Sequence, residues 1–140
     1  MTTKKRKSWQ EKFDNCRKPE FEVLESKFSD IAAGEKMLIA TPRIIDDYIR
    51  QIPEGKSVNM KTMRRDIAAD YAADNACPLT TGIFVRIISE LAHEQYEQGK
   101  PISEITPFWR VLNSKTPLVK KLSFPYDFIA AQRKEEGLEN

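Results

Sequence analysis

The 140-residue chain carries one histidine and two cysteines, so its stock of side chains for metal binding or nucleophilic catalysis is small. His93 lies among Glu90, Glu94 and Glu97, and imidazole with carboxylates is a donor set that zinc accepts. No second nitrogen or sulfur ligand accompanies it, so a solvated acidic helix face is expected and no metal is assigned. Cys77 stands directly before Pro78 at an expected helix entrance, where the helix N-terminus could lower a thiol's pKa. No basic residue neighbours it in sequence to activate it, and it reads as a structural thiol. The five glycines form neither a phosphate-cradling loop nor a Gly-x-Ser-x-Gly elbow, which removes the nucleotide-enzyme and serine-hydrolase readings. The expectation is a binding module with no catalytic residues, no metal and no cofactor.

Charge narrows the partner only locally. With 23 basic and 21 acidic residues the net charge is +2, too balanced to announce a nucleic-acid binder by itself. The start, Met1-Thr2-Thr3-Lys4-Lys5-Arg6-Lys7, is basic and has no apolar h-region, and apolar runs such as residues 37–40 are too short to cross a bilayer. A cytoplasmic address with no membrane association is therefore expected, with Cys16 and Cys77 as free thiols. Trp9 and Phe13 interrupt Lys12, Arg17 and Lys18; the segment is either a solvated tail or a turn or two of amphipathic helix.

The elements that must position any site follow from apolar spacing. Length and 40% hydrophobic content suit one core. We assign residues 1–35 to a basic, partly flexible extension and 36–140 to one domain. Residues 36–40 read as a strand, and Thr41-Pro42 supplies an N-cap and a proline for the helix that follows. Ile44, Ile45, Tyr48, Ile49 and Ile52 mark its apolar face, and Asp46, Asp47, Arg50 and Gln51 its polar one. After Pro53-Glu54-Gly55 and an extended stretch at 57–59, Met63, Ile67 and Tyr71 define a second helix whose first turns carry Lys61, Arg64 and Arg65. Thr80 or Thr81 would cap a third, the strongest, running through Ile83, Phe84, Ile87, Ile88, Leu91 and Tyr96 to Gly99-Lys100-Pro101. Residues 105–112, rich in aromatic and β-branched types, read as a strand. Short helices are expected at 117–122 and 126–136. The fold class is mainly α with a small β wing, a winged helix-turn-helix.

Three motifs add a family to that outline. Ile52-Pro53-Glu54-Gly55-Lys56-Ser57-Val58 resembles the entry to the DNA-binding domain of methylated-DNA protein-cysteine methyltransferases. Pro107-Phe108-Trp109-Arg110-Val111 resembles that family's Pro-Cys-His-Arg-Val motif, and Gln132 with Glu136-Gly137 is similar to its closing helix. The resemblance spans residues 40–137, with the motifs in the family's order. It does not imply alkyl transfer, because Phe108 and Trp109 stand where the reactive cysteine and its activating histidine belong, and without a thiolate there is no acceptor. The chain is more similar to the alkyltransferase-like branch, whose members lack the cysteine and bind damaged DNA to signal its repair. Gly82 matches the arginine that props open the flipped-base site, and Met60 matches a tyrosine near the first recognition element; both departures weaken base flipping.

By this resemblance Lys61, Arg64, Arg65 and Arg110 contact the backbone of double-stranded DNA, with the basic tail adding salt-dependent affinity, although the family's residue at the position of Arg110 is largely structural. Amides near Thr80 and Thr81 face a phosphate. Arg86 either reaches a phosphate or pairs with Glu90, an interaction worth ~0.3 kcal/mol. Met60, Pro107, Phe108 and Trp109 are the remnant of the alkyl-base pocket, where Phe108 and Trp109 either stack on a base or pack in the core. The alternative is a protein-interaction module that kept the fold and lost DNA binding, using the acidic face or an exposed aromatic patch. A basic surface continuous from Lys61 to Arg110 favours the first reading, and its absence the second. An alkyltransferase acting through Cys77 has least support, since Cys77 lies outside the matching motif.

Overall fold

A computed structural model describes residues 6–15 and 18–140. Residues 1–5 of the basic run, Cys16 and Arg17 lie outside the described residues, and with them the expected free thiol of Cys16. Local chemistry explains where the helices start. Ser8 and Glu11 form a reciprocal capping box on α1 (Trp9–Asp14). Thr41 Oγ1 accepts from Ile44 N at the start of α2 (Pro42–Arg50), and Asn59 Oδ1 accepts from Thr62 N at the start of α3 (Met60–Asp70). The long α4 (Pro78–Glu97) and the final α5 (Asp127–Glu135) complete the helices. A mixed sheet of order β1-β2-β3 pairs β1 (Glu20–Val23) antiparallel to β2 (Lys36–Ile39), and β2 parallel to the two-residue β3 (Asn75–Ala76). The fold is mainly helical with this small sheet. Among the described residues no helix is long and apolar enough to cross a membrane.

The centre of α4 is the core. From Phe84 to Ala92 every residue except Arg86 is buried, the signature of a helix covered on all sides. Ile45 and Ile49 of α2, Met63 and Ile67 of α3, Leu38, Phe108, Leu112 and Ile129 join the same cluster. Full burial of each such side chain is worth about 1.5–3 kcal/mol. A smaller cluster of Leu24, Ile31, Met37 and Cys77 lies beside it. The described part of residues 6–35 thus contributes a helix, an edge strand and the fully buried Ile31.

Three expectations are corrected. α4 begins at Pro78 with Cys77 as its N-cap, so Thr80 and Thr81 lie inside the first turn and cap nothing. Proline's fixed φ suits the first helical position, and Cys77 N is already tied to Leu38 O at 2.8 Å by the sheet. Second, residues 105–112 form no strand but a 3-10 turn at Phe108–Arg110. A strand would point Phe108 and Trp109 to opposite faces, whereas both are buried in one core. The turn permits that, and Arg133 Nη1 satisfies the carbonyls of Trp109 (2.7 Å) and Leu112 (3.1 Å). Third, Glu90 is not on a solvated acidic face. It is buried and accepts hydrogen bonds from Ser123 N (2.9 Å) and Ser123 Oγ. Asp46, expected on the polar side of α2, is also buried, between Arg50 Nε and Thr106 Oγ1.

Candidate nucleic-acid interface

The N-terminal turns of α3 and α4 open on one side onto a groove of about 940 Å³. α1 and the segment preceding it form one wall, and a 3-10 turn at Pro117–Lys121 another. Its lining includes Lys7, Lys12, Lys61, Arg86 and Lys121, with no aspartate or glutamate among the described residues. Between these cations the surface is apolar, built from Trp9, Met60, Leu79, Ile83 and Leu118. Leu79 and Ile83 are 62% and 49% exposed, one helical turn apart.

Which cations are free follows from pairings elsewhere in the fold. Arg64 lines the groove, but its guanidinium is 7% exposed as a residue and forks onto the Asp30 carboxylate, with a further bond to Ala76 O at 3.1 Å. The Arg64 hydrogen bond holds Asp30 below the usual carboxylate range, against the opposing effect of burial. Arg86 is different. Its i,i+4 partner Glu90 is taken by Ser123, and among the described residues Arg86, Lys12, Lys61 and Lys121 make no ion pair within 4 Å. Thr80 Oγ1 and Arg86 Nε are buried without a hydrogen-bond partner among the described residues, and both residues line the groove.

Arg110 sits outside this surface. Its Nε is 2.9 Å from Glu136 Oε1 and its Nη1 donates to Ile52 O at 2.8 Å. Burial works against ionisation of Glu136, but bonds from Arg110, Gly55 N and Trp109 Nε1 outweigh it and keep the carboxyl below its ordinary value. Arg110 is therefore neutralised and lies outside the groove that Lys61 lines, whereas among the described residues the cations without an ion pair that line the groove are Lys61, Arg86 and Lys121 with Lys12 of α1. Arg65 is exposed but outside the groove, and Thr81 is buried.

Of the four residues expected as a pocket remnant, Met60 alone lines the groove, joined there by Gly82. Pro107, Phe108 and Trp109 are buried. Phe108 stacks with Phe128 at 5.8 Å between ring centroids, and Trp109 Nε1 donates to Glu136 Oε2 at 2.6 Å. His93 stacks on Phe124 at 4.0 Å, with Nε2 3.4 Å from Glu97. Among the described residues no group of three His, Cys, Asp or Glu side chains is arranged to hold a metal. Sequence reasoning missed Lys121, Lys12 and Trp9 as groove residues. For Lys12 and Trp9 the only signal was the spacing of cations and an indole near the start, and for Lys121 only the short helix expected at 117–122. The chain matches no known family model, no curated protein and no solved structure.

Proposed function

We propose that the chain is a non-enzymatic, alkyltransferase-like DNA-binding module that recognises alkylated guanine in support of DNA repair. The paired state of Arg110 counts for the interaction-module alternative; the observation that carries the DNA reading instead is a groove lined by Lys7, Lys12, Lys61, Arg86 and Lys121 beside the paired Arg64, with no carboxylate among the described lining residues, over an apolar floor. Phosphates would meet the cations, and the exposed faces of bases would meet the floor. Met60 and Gly82, which the resemblance matches to the tyrosine and arginine of the family's lesion site, both line this groove. In this reading α3 and α4 are the helix-turn-helix of a winged-helix domain, and the 3-10 segments after residue 105 take the place of the wing. The buried phenyl ring of Phe108 at the cysteine position has no group that can accept an alkyl chain. The address in this reading is cytoplasmic.

The test is binding of a fluorescent duplex, with and without one O6-alkylguanine, across a salt series. If the five lining cations other than the ion-paired Arg64 contact phosphates, log affinity falls against log salt with a slope of roughly 4 to 5. Preference for the alkylated duplex supports lesion recognition, and equal binding reduces the protein to a general DNA binder. No binding at low salt sinks the reading. The exposed Leu79 and Ile83, together with the neutralised Arg110, would then favour a protein-interaction module.

A further inference from the structure

We infer that α1 is part of the ligand-binding surface, and that Lys12 and Arg86, gathered on the Trp9 indole, form a phosphate clamp at one end of the groove. This rests on the DNA-binding reading but uses a helix outside residues 40–137, where the family motifs lie. Lys12 Nζ is 4.4 Å from the Trp9 ring centroid, and the Arg86 guanidinium carbon, on α4, is 5.7 Å from it. One indole thus draws together two cations from two helices. The ring face attracts each cation, while the two cations repel each other.

The acids that would ordinarily neutralise such a pair are engaged elsewhere. Glu11 accepts from Ser8 N in the capping box. Asp14 accepts from Gln10 Nε2 at 2.8 Å and lies 3.7 Å from Arg43. Glu90, the helical neighbour of Arg86, is bound by Ser123. Among the described residues neither Lys12 nor Arg86 has an ion-pair partner within 4 Å, and both stand against one ring beside a groove lined by no described carboxylate, so a phosphate that reaches both would supply the missing counter-charge. Trp9 is half-buried and packs on the core, so α1 is seated before any ligand arrives, and the clamp is preorganised.

The test compares full-length variants in the salt-titrated duplex assay. Lys12→Gln leaves the indole packing intact and should weaken binding several-fold while lowering the salt slope by about one. Trp9→Leu, which keeps apolar volume but removes the ring face, should weaken binding similarly, and Trp9→Phe should restore most of it. Lys115→Gln, which removes an exposed charge outside the groove, should bind as wild type. If Lys61→Gln weakens binding but Lys12→Gln and Trp9→Leu match wild type, the clamp is wrong and the DNA-binding reading stands. If wild type binds no duplex at low salt, the reading fails and the clamp fails with it.

Discussion

Substituting Glu136 by Gln tests the account of how the C-terminal end of the fold is held. The Glu136 carboxylate accepts hydrogen bonds from Gly55 N (2.9 Å), Trp109 Nε1 (2.6 Å), Arg110 Nε (2.9 Å) and Arg110 Nη2 (3.0 Å). It therefore joins the end of α5 to the loop after α2 and to the 3-10 turn at 108–110. The side chains of Glu136 and Arg110 are 6% and 14% exposed, so solvent does little to screen them. Glutamine keeps the volume but offers one acceptor oxygen, turns an NH2 toward donors and leaves Arg110 without a counter-ion. Breaking a buried pair from one side costs about 3–5 kcal/mol, a large share of the roughly 5–15 kcal/mol that holds a domain together. Melting should fall by about 10 °C or more. Because the folded-state pKa of Glu136 lies below its unfolded value, its contribution is complete above about pH 4.3 and is lost as pH falls through the folded value. The gap between wild type and variant should narrow in acid, since only wild type titrates at this position. Urea unfolding at pH 7 and at stepwise lower pH reads both effects. A loss below about 1 kcal/mol at pH 7, the worth of an exposed pair, or a gap that does not change in acid, would refute the reasoning.

Asp30→Asn removes the counter-ion of Arg64, and because the Asp30 carboxylate is partly open to water the cost should be about 1–2 kcal/mol. Hydrogen exchange should then accelerate in residues 24–36, and wild type, whose Asp30 is held low, should lose this advantage as pH falls through the folded pKa. Ser123→Ala takes one of two donors from the buried Glu90 and should destabilise by about 1–3 kcal/mol in equilibrium unfolding, with helix content unchanged in the folded state. Gly55 has φ +82° and room for a Cβ, the nearest atom being 3.8 Å away. Gly55→Ala should therefore cost about 1–2 kcal/mol through the backbone alone, and Gly55→Asn less, as thermal melts can compare.

Where chemistry is local, the sequence was legible. Thr41-Pro42 started α2 as expected, the strand at 36–39 was visible as an apolar run, and Gly99 and Pro101 closed the long helix. The aromatic and β-branched run at 105–112 misled, because strand propensity measures fit to a half-buried surface. Here Phe108 and Trp109 share one core and Arg133 supplies hydrogen bonds to the backbone carbonyls. The exposed Ile83 could not be separated from its buried neighbours by spacing, since α4 is apolar on several faces.

The sequence by itself determined most of the helix boundaries, because caps and periodicity act within a few residues. Only the tertiary structure decided which cations remain unpaired. Asp30 neutralises Arg64 from 34 residues away and Glu136 neutralises Arg110 from 26, whereas Lys12, Lys61, Arg86 and Lys121 line a groove with no carboxylate among its described residues. Coulomb interactions fall with distance in space and not along the chain, so the position of the free charge is a property of the fold.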